Sequence, residues 1–267
     1  MIRFYIFSMF MLGVMVFLFL SVKPSFTDDE DEECPENMVP VGDICIDKFE
    51  ASVWSLPPDE EEPQGTQFGV ASDDYPCSDN GNDCSASAAN PIFAASVANV
   101  IPSRFITWVQ AQQACANVRK RLPTNAEWQM AAAGTPDPVT DNGATDCNHF
   151  RVSGTLPEDP VPTGSRSNCV SNWGAFDMVG NLYEWVADWV PLSTACVPSL
   201  FGTGDLNCLA GASTTSGPGA ITRGGDFNTG IGDPNYGLFA GVFYIRADFG
   251  PSSSTGPNGG FRCALYR

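Results

Sequence analysis

Some residues in this chain have types and spacings that could do chemistry. Asp177 and Glu184 lie seven positions apart around a Gly180-Asn181 turn. Two carboxylates so placed can converge on one hard cation, with backbone carbonyls of the turn as further oxygens. Ca²⁺ takes roughly six to eight such ligands. Acids beside a turn are equally the composition of a solvated loop, so spacing alone leaves both readings open. The ten cysteines are the second set. None forms a CxxC pair, which argues against zinc and dithiol redox sites. The lone histidine, His149, is too little for multi-histidine iron or zinc chemistry or for a serine triad; it reads as a loop residue. Gly224-Gly225 follows a strand pattern without opening a helix, so it is no phosphate cradle. Trp128, Tyr183, Trp185 and Trp189 read as core packing around a helix, with an aromatic ligand wall as the functional alternative.

The elements that must position these groups come next. Residues 1–27 hold Arg3, Lys23 and no acid, and Phe4–Val22 is almost wholly apolar. This is expected to be an export signal or an uncleaved signal anchor, followed by an acidic linker over 28–37. The chain is then expected in an exported setting: secreted, periplasmic or anchored at the cell surface. The membrane is reached only through that segment if it is uncleaved. In an oxidising compartment ten cysteines read as disulfides. Cys34/Cys45, Cys77/Cys84, Cys147/Cys169 and Cys196/Cys208 are neighbours flanking loops, and Cys115 and Cys263 are left as a long-range pair. Connectivity is not determined by sequence. A net charge of -18 lacks the basic footprint of a broad nucleic-acid surface.

Residues 38–267 are expected to form one domain. Met38–Val53 reads as two strands around a Gly42-Asp43 turn. Residues 55–103 show no sustained period and are expected to be an insertion stapled by Cys77–Cys84. Thr107 with Gln110, and Thr124 with Glu127, are capping boxes that open two helices. With 26 Gly and 21 Pro in 267 residues, much of the rest reads as loop.

The blocks MVPVGDICIDKFEAS, RLPTNAEWQMAAAG, DMVGNLYEWVADW, TRGGDFN and GGFRCA follow one another in an order that resembles the formylglycine-generating enzyme, or sulfatase-modifying-factor, family. The resemblance runs from about Met38 to Ala264 and is weakest over 55–103. It implies an irregular, loop-rich α+β fold related to C-type lectins, with few helices and short antiparallel strands. It also implies a structural calcium site at the side chains of Asp177 and Glu184 and the carbonyls of Gly180 and Leu182. A second site could involve the carbonyls of Asn148 and His149. Cys115 would pair with Cys263 of GGFRCA.

The family's oxidase holds Cu(I) between two thiolates just after an Arg-Gly-Gly-Ser-aromatic motif. Here Arg223–Phe227 matches, but Asp226 replaces the serine and Thr229 stands where the first cysteine belongs. No cysteine occurs between Cys208 and Cys263. No copper is therefore expected, and formylglycine-generating oxidation is not. A histidine-rich iron branch of the family fits no better. The resemblance leaves a calcium-stabilised binding or accessory module for an unidentified protein, peptide or glycan. The loop from Asp226 to Phe239 would present the ligand-binding residues, as in lectin-like relatives or the variable proteins of diversity-generating retroelements. The alternative is a protein-modifying enzyme with altered chemistry. The candidate pocket for either is Arg223, Asp226, Thr229, Arg246, Asp248 and Arg262. Arg–carboxylate pairing for stability is the competing role of those arginines.

Overall fold

The computed structural model describes residues 33–59, 62–137, 141–149, 159–198, 201–228, 239–253 and 256–267. The apolar segment 1–27, the first half of the linker, and Thr229 with most of the loop from Asp226 to Phe239 lie outside them. Among the described residues no helix is long and apolar enough to cross a membrane.

The chain has the irregular α+β fold expected of it. β1 (Met38–Val41) and β2 (Ile44–Asp47) form the hairpin read from the Gly42-Asp43 turn, and β12 (Ala264–Tyr266) pairs on the far side of β2. The stretch 55–103 is more ordered than expected. β3 (Ala51–Asp59), β4 (Glu62–Phe68) and β5 (Phe93–Ser96) make an antiparallel sheet in the order β4-β3-β5. The outer half of β3 and most of β4 are solvent-exposed and their register shifts twice, so no period-two pattern is written there. Beyond β4 the segment is pinned from outside. Asn117 donates Nδ2 to the carbonyls of Cys84 and Ile92, both at 2.7 Å.

Helices α1 (Trp108–Asn117) and α2 (Asn125–Ala131) begin at Thr107 and Thr124, each with both arms of its capping box formed. Each box satisfies backbone N–H groups that the first turn leaves orphaned, worth about 1 kcal/mol per cap. Val118 caps α1, and the left-handed Arg119 turns the chain away.

The largest sheet has six strands in the order β11-β6-β9-β10-β8-β7: β6 Tyr183–Leu192, β7 Ala195–Pro198, β8 Leu206–Ala210, β9 Ser213–Gly225, β10 Ala240–Phe249 and β11 Gly259–Phe261. Beside the expected antiparallel pairs, two of its pairs, β8 with β10 and β11 with β6, are parallel. Parallel pairing needs a long crossover. Turn signals in sequence report only on adjacent strands.

The sheet divides two apolar clusters. Trp185 and Ala220 pack into one with Ile92, Ile106, Leu122 and Phe261. Val186, Ile221 and Ile245 pack into the other with Trp128, Val39 and Ile46. Core packing is the role of Trp128, Tyr183 and Trp185. Trp189 departs from that reading: it is 45% exposed, against the edge of Trp108.

Candidate functional site

All ten cysteines are paired, in five disulfides: Cys34–Cys45, Cys77–Cys84, Cys115–Cys263, Cys147–Cys169 and Cys196–Cys208. The structure thus contains every pairing that the sequence suggested.

The candidate cation site is buried where β6 begins. Asp177, Gly180 and Asn181 all have positive φ. Gly180 is required for space as well, since a Cβ there would sit 2.4 Å from the carbonyl oxygen of Asn148. Asn148 uses that carbonyl to accept the Asn181 N–H at 2.7 Å. Asp177 accepts the Gly164 N–H at 2.7 Å through Oδ2, while its Oδ1 is buried without a hydrogen-bond partner. Burial raises its carboxyl to about 6.

Glu184 has a strong partner that its spacing from Asp177 does not reveal. Arg262 clamps it bidentately, Nε to Oε2 at 2.7 Å and Nη2 to Oε1 at 2.6 Å, and Trp128 Nε1 donates to Oε2 at 2.7 Å. Its ionic partner is a guanidinium. Arg262 is corrected from the ligand pocket. It is fully buried, and it also donates Nη1 to the carbonyl of Asp47 and Nη2 to that of Phe176. It fastens β2, the turn before β6 and the C-terminal strands together.

A third acid completes the cluster. Glu50 is fully buried; it accepts the Leu182 N–H at 2.9 Å through Oε1 and the Asn181 side-chain amide through Oε2. Burial, then Asp177 and Glu184, push its carboxyl well above the usual range. Sequence reading missed Glu50, although a charged residue inside the apolar run FEASV was a usable signal. Three buried carboxyls therefore share one guanidinium. The orphaned Oδ1 of Asp177 and this excess of acid fit a hard cation; Glu184 already accepts three hydrogen bonds, which leaves it about one free lone-pair site. Among the described residues, the sets that bring three donor atoms within 4.8 Å are Cys77, Asp83, Cys84 and Cys196, Cys208, Asp248. Their sulfurs are disulfide-bonded and so offer no thiolate ligand. His149 is buried with both ring nitrogens unpartnered, and burial pulls it down to about 4.

The pocket expected around the Arg-Gly-Gly motif divides across the sheet. Alternation along β9 and β10 puts Arg223 beside Ile221 and Ile245 on the Trp128 face. Arg246 and Asp248 face the other way. Arg246 donates Nε and Nη2 to Asp248 at 3.0 and 2.6 Å and lies over the Phe249 ring, which stacks on Tyr183. Asp226 belongs to this second group. Its Oδ1 accepts the Asn228 N–H at 2.8 Å and Asn258 Nδ2 at 3.2 Å, and burial pushes it up to about 7. The nearest disulfide lies one strand away, where Cys208 is the parallel partner of Arg246 in the sheet.

A buried Arg-Gly-Gly strand, a left-handed Asp-x-x-Gly-Asn turn and an arginine closing the C-terminus onto it define a class of domain. Residues 25–266 match the family model of the sulfatase-modifying factor enzyme 1-like domain, and the chain belongs to that family. It is 28% identical over 176 residues to the formylglycine-generating enzyme of Streptomyces coelicolor, a match covering 61% of this chain and 52% of that protein. It is 34% identical over 92 residues to the serine/threonine-protein kinase Pkn1 of Chlamydia trachomatis, covering 32% and 13%. Among solved structures it is similar to PvdO from Pseudomonas aeruginosa, with a TM-score of 0.42 at 17% identity over 88% of this chain and all of that one. The chain spans about half, or less, of the length of these two curated relatives.

Proposed function

We propose that this protein is an exported, calcium-stabilised binding or accessory module of the family, without formylglycine-generating oxidase activity. The observation that carries the reading is the cysteine inventory. Every thiol is consumed in a disulfide, and no cysteine follows Arg223–Phe227 until Cys263. A copper dithiolate needs two free, adjacent thiolates. Five disulfides also favour an oxidising compartment, in line with the apolar segment at 1–27. The ligand would be a protein, peptide or glycan met by the face that carries Asp226, Arg246 and Asp248.

Calcium in this proposal rests on Asp177, with the carbonyls of Gly180 and Leu182 as the resemblance implies, and it ties the turn before β6 to the loops around it. Glu50 and Arg262 hold that turn from the other side. An ion supplied at 100 times its dissociation constant adds about 2.7 kcal/mol, which for a domain of this size is roughly 5–10 °C in Tm. EDTA is expected to lower Tm by that amount and Ca²⁺ to restore it. An unchanged melting curve, with no calcium found by elemental analysis, would remove the ion from the account.

One observation favours a second reading, an enzyme of altered chemistry. A carboxyl raised to about 7 beside Asn258 and Tyr183 is poised for proton transfer near neutrality. Product from a peptide substrate, lost in Asp226→Asn without loss of fold, would establish that reading; its absence over a broad peptide panel would count against it.

A further inference from the structure

The cavity into which Arg223 projects has a chemistry of its own. It measures about 550 Å³, within the usual range for small-molecule sites. Val197, Phe201, Leu209, Phe243 and Ile245 form its apolar walls, and among the described residues Arg223 is its one charged lining group. Val197, Phe201 and Leu209 are 39%, 65% and 49% exposed. They are three of the eight large apolar side chains that stand exposed among the described residues, and all three gather on this rim. Scattered exposed leucines are ordinary; a cluster around a concavity marks a binding surface.

Arg223 itself is 3% exposed and stacks on the Trp128 ring at 4.7 Å. It donates Nη1 to Asn125 Oδ1 at 2.6 Å and Nη2 to Gln129 Oε1 and to the Val242 carbonyl. All three acceptors are neutral amides. Its Nε is buried with no partner. Among the described residues no carboxylate lies within 4.0 Å of its guanidinium. The acid that influences it, Asp205, accepts the Phe243 N–H at 2.8 Å. Arginine at other buried positions of this chain meets a carboxylate, as Arg262 meets Glu184 and Arg166 meets Asp141. Desolvating a guanidinium without an anion is costly, and the missing partner is one that a ligand can bring.

We propose that this cavity binds an amphipathic monocarboxylate, an alkyl chain ending in a carboxylate. The chain lies along Val197, Leu209, Phe243 and Ile245, and the carboxylate meets Arg223. A cation is repelled by the floor. A neutral alcohol fills the same volume but leaves the charge unmet.

Isothermal titration of the intact protein with sodium octanoate, octan-1-ol and octylammonium tests this. Octanoate is expected to bind about 10-fold or more tighter than octanol, the difference of a charge-assisted hydrogen bond, and octylammonium not at all. Leu209→Asp, at a rim position half-exposed to solvent, is expected to fold normally by circular dichroism and to lose octanoate binding at least 10-fold. Arg223→Gln should erase the preference for acid over alcohol if it folds; Leu209→Asp keeps the test decisive if it does not. Equal binding of acid and alcohol, no octanoate binding at millimolar concentration, or wild-type affinity in Leu209→Asp would overturn the proposal.

Discussion

Replacing Arg262 with leucine is expected to cost roughly 3–5 kcal/mol and to lower Tm by about 6–20 °C, the largest effect of any single substitution at the site. The reason is what the substitution leaves behind. Arg262 holds both oxygens of Glu184 and the carbonyls of Asp47 and Phe176 while fully buried. Without it, three buried carboxyls, Glu50, Asp177 and Glu184, lose their common counter-charge. Removing one partner of a buried pair is far worse than removing both, because the survivor is stranded in low dielectric. The double variant Arg262→Leu with Glu184→Leu is therefore expected to be less damaged than the sum of its single variants, by 1 kcal/mol or more in a double-mutant cycle. Additive losses by chemical denaturation would show that the pair does not act as a unit.

Removal of the Cys115–Cys263 bridge is expected to have an effect of similar size by another route. The bridge joins residues 148 apart and ties α1 to the C-terminal segment in the core. On a chain-entropy basis a closure of that length is worth about 5 kcal/mol, whereas the Cys34–Cys45 closure, 11 apart, is worth roughly 3. Paired alanine variants of each bridge, compared by urea denaturation, are expected to rank in that order. Equal losses would mean that native packing, rather than the unfolded chain, sets the stabilisation.

The parts of this molecule that were legible in the sequence are those written locally. Both capping boxes need only three residues of separation, and both helices begin where those boxes stand. Cysteine neighbours around loops needed only proximity. The remainder depended on tertiary placement. Asp177 and Glu184 are neighbours in sequence, but the guanidinium that pairs with Glu184 comes from Arg262, 78 positions further on. Arg223 and Arg246 looked like one cluster because both lie near the same loop. Strand alternation sends them to opposite faces, and the bulge between Gly241 and Ile245 hides that phase from a reader of the sequence. The start of β6 is buried at four successive residues, Tyr183 to Val186, so it shows no alternation and reads only as a dense run of aromatics and acids. Glu50 was passed over because its role is to hold a turn more than 130 residues away.

The proposed loss of the family's oxidation rests on a chain in which every cysteine is in a disulfide. Incubating the purified, unreduced protein with Cu(I), oxygen and a Cys-Thr-Pro-Ser-Arg peptide, then reading the peptide by mass spectrometry and aldehyde-specific labelling, tests it most directly. Unmodified cysteine is expected in every sample, beside a competent formylglycine-generating enzyme as positive control. Catalytic conversion of the peptide cysteine to an aldehyde would contradict it.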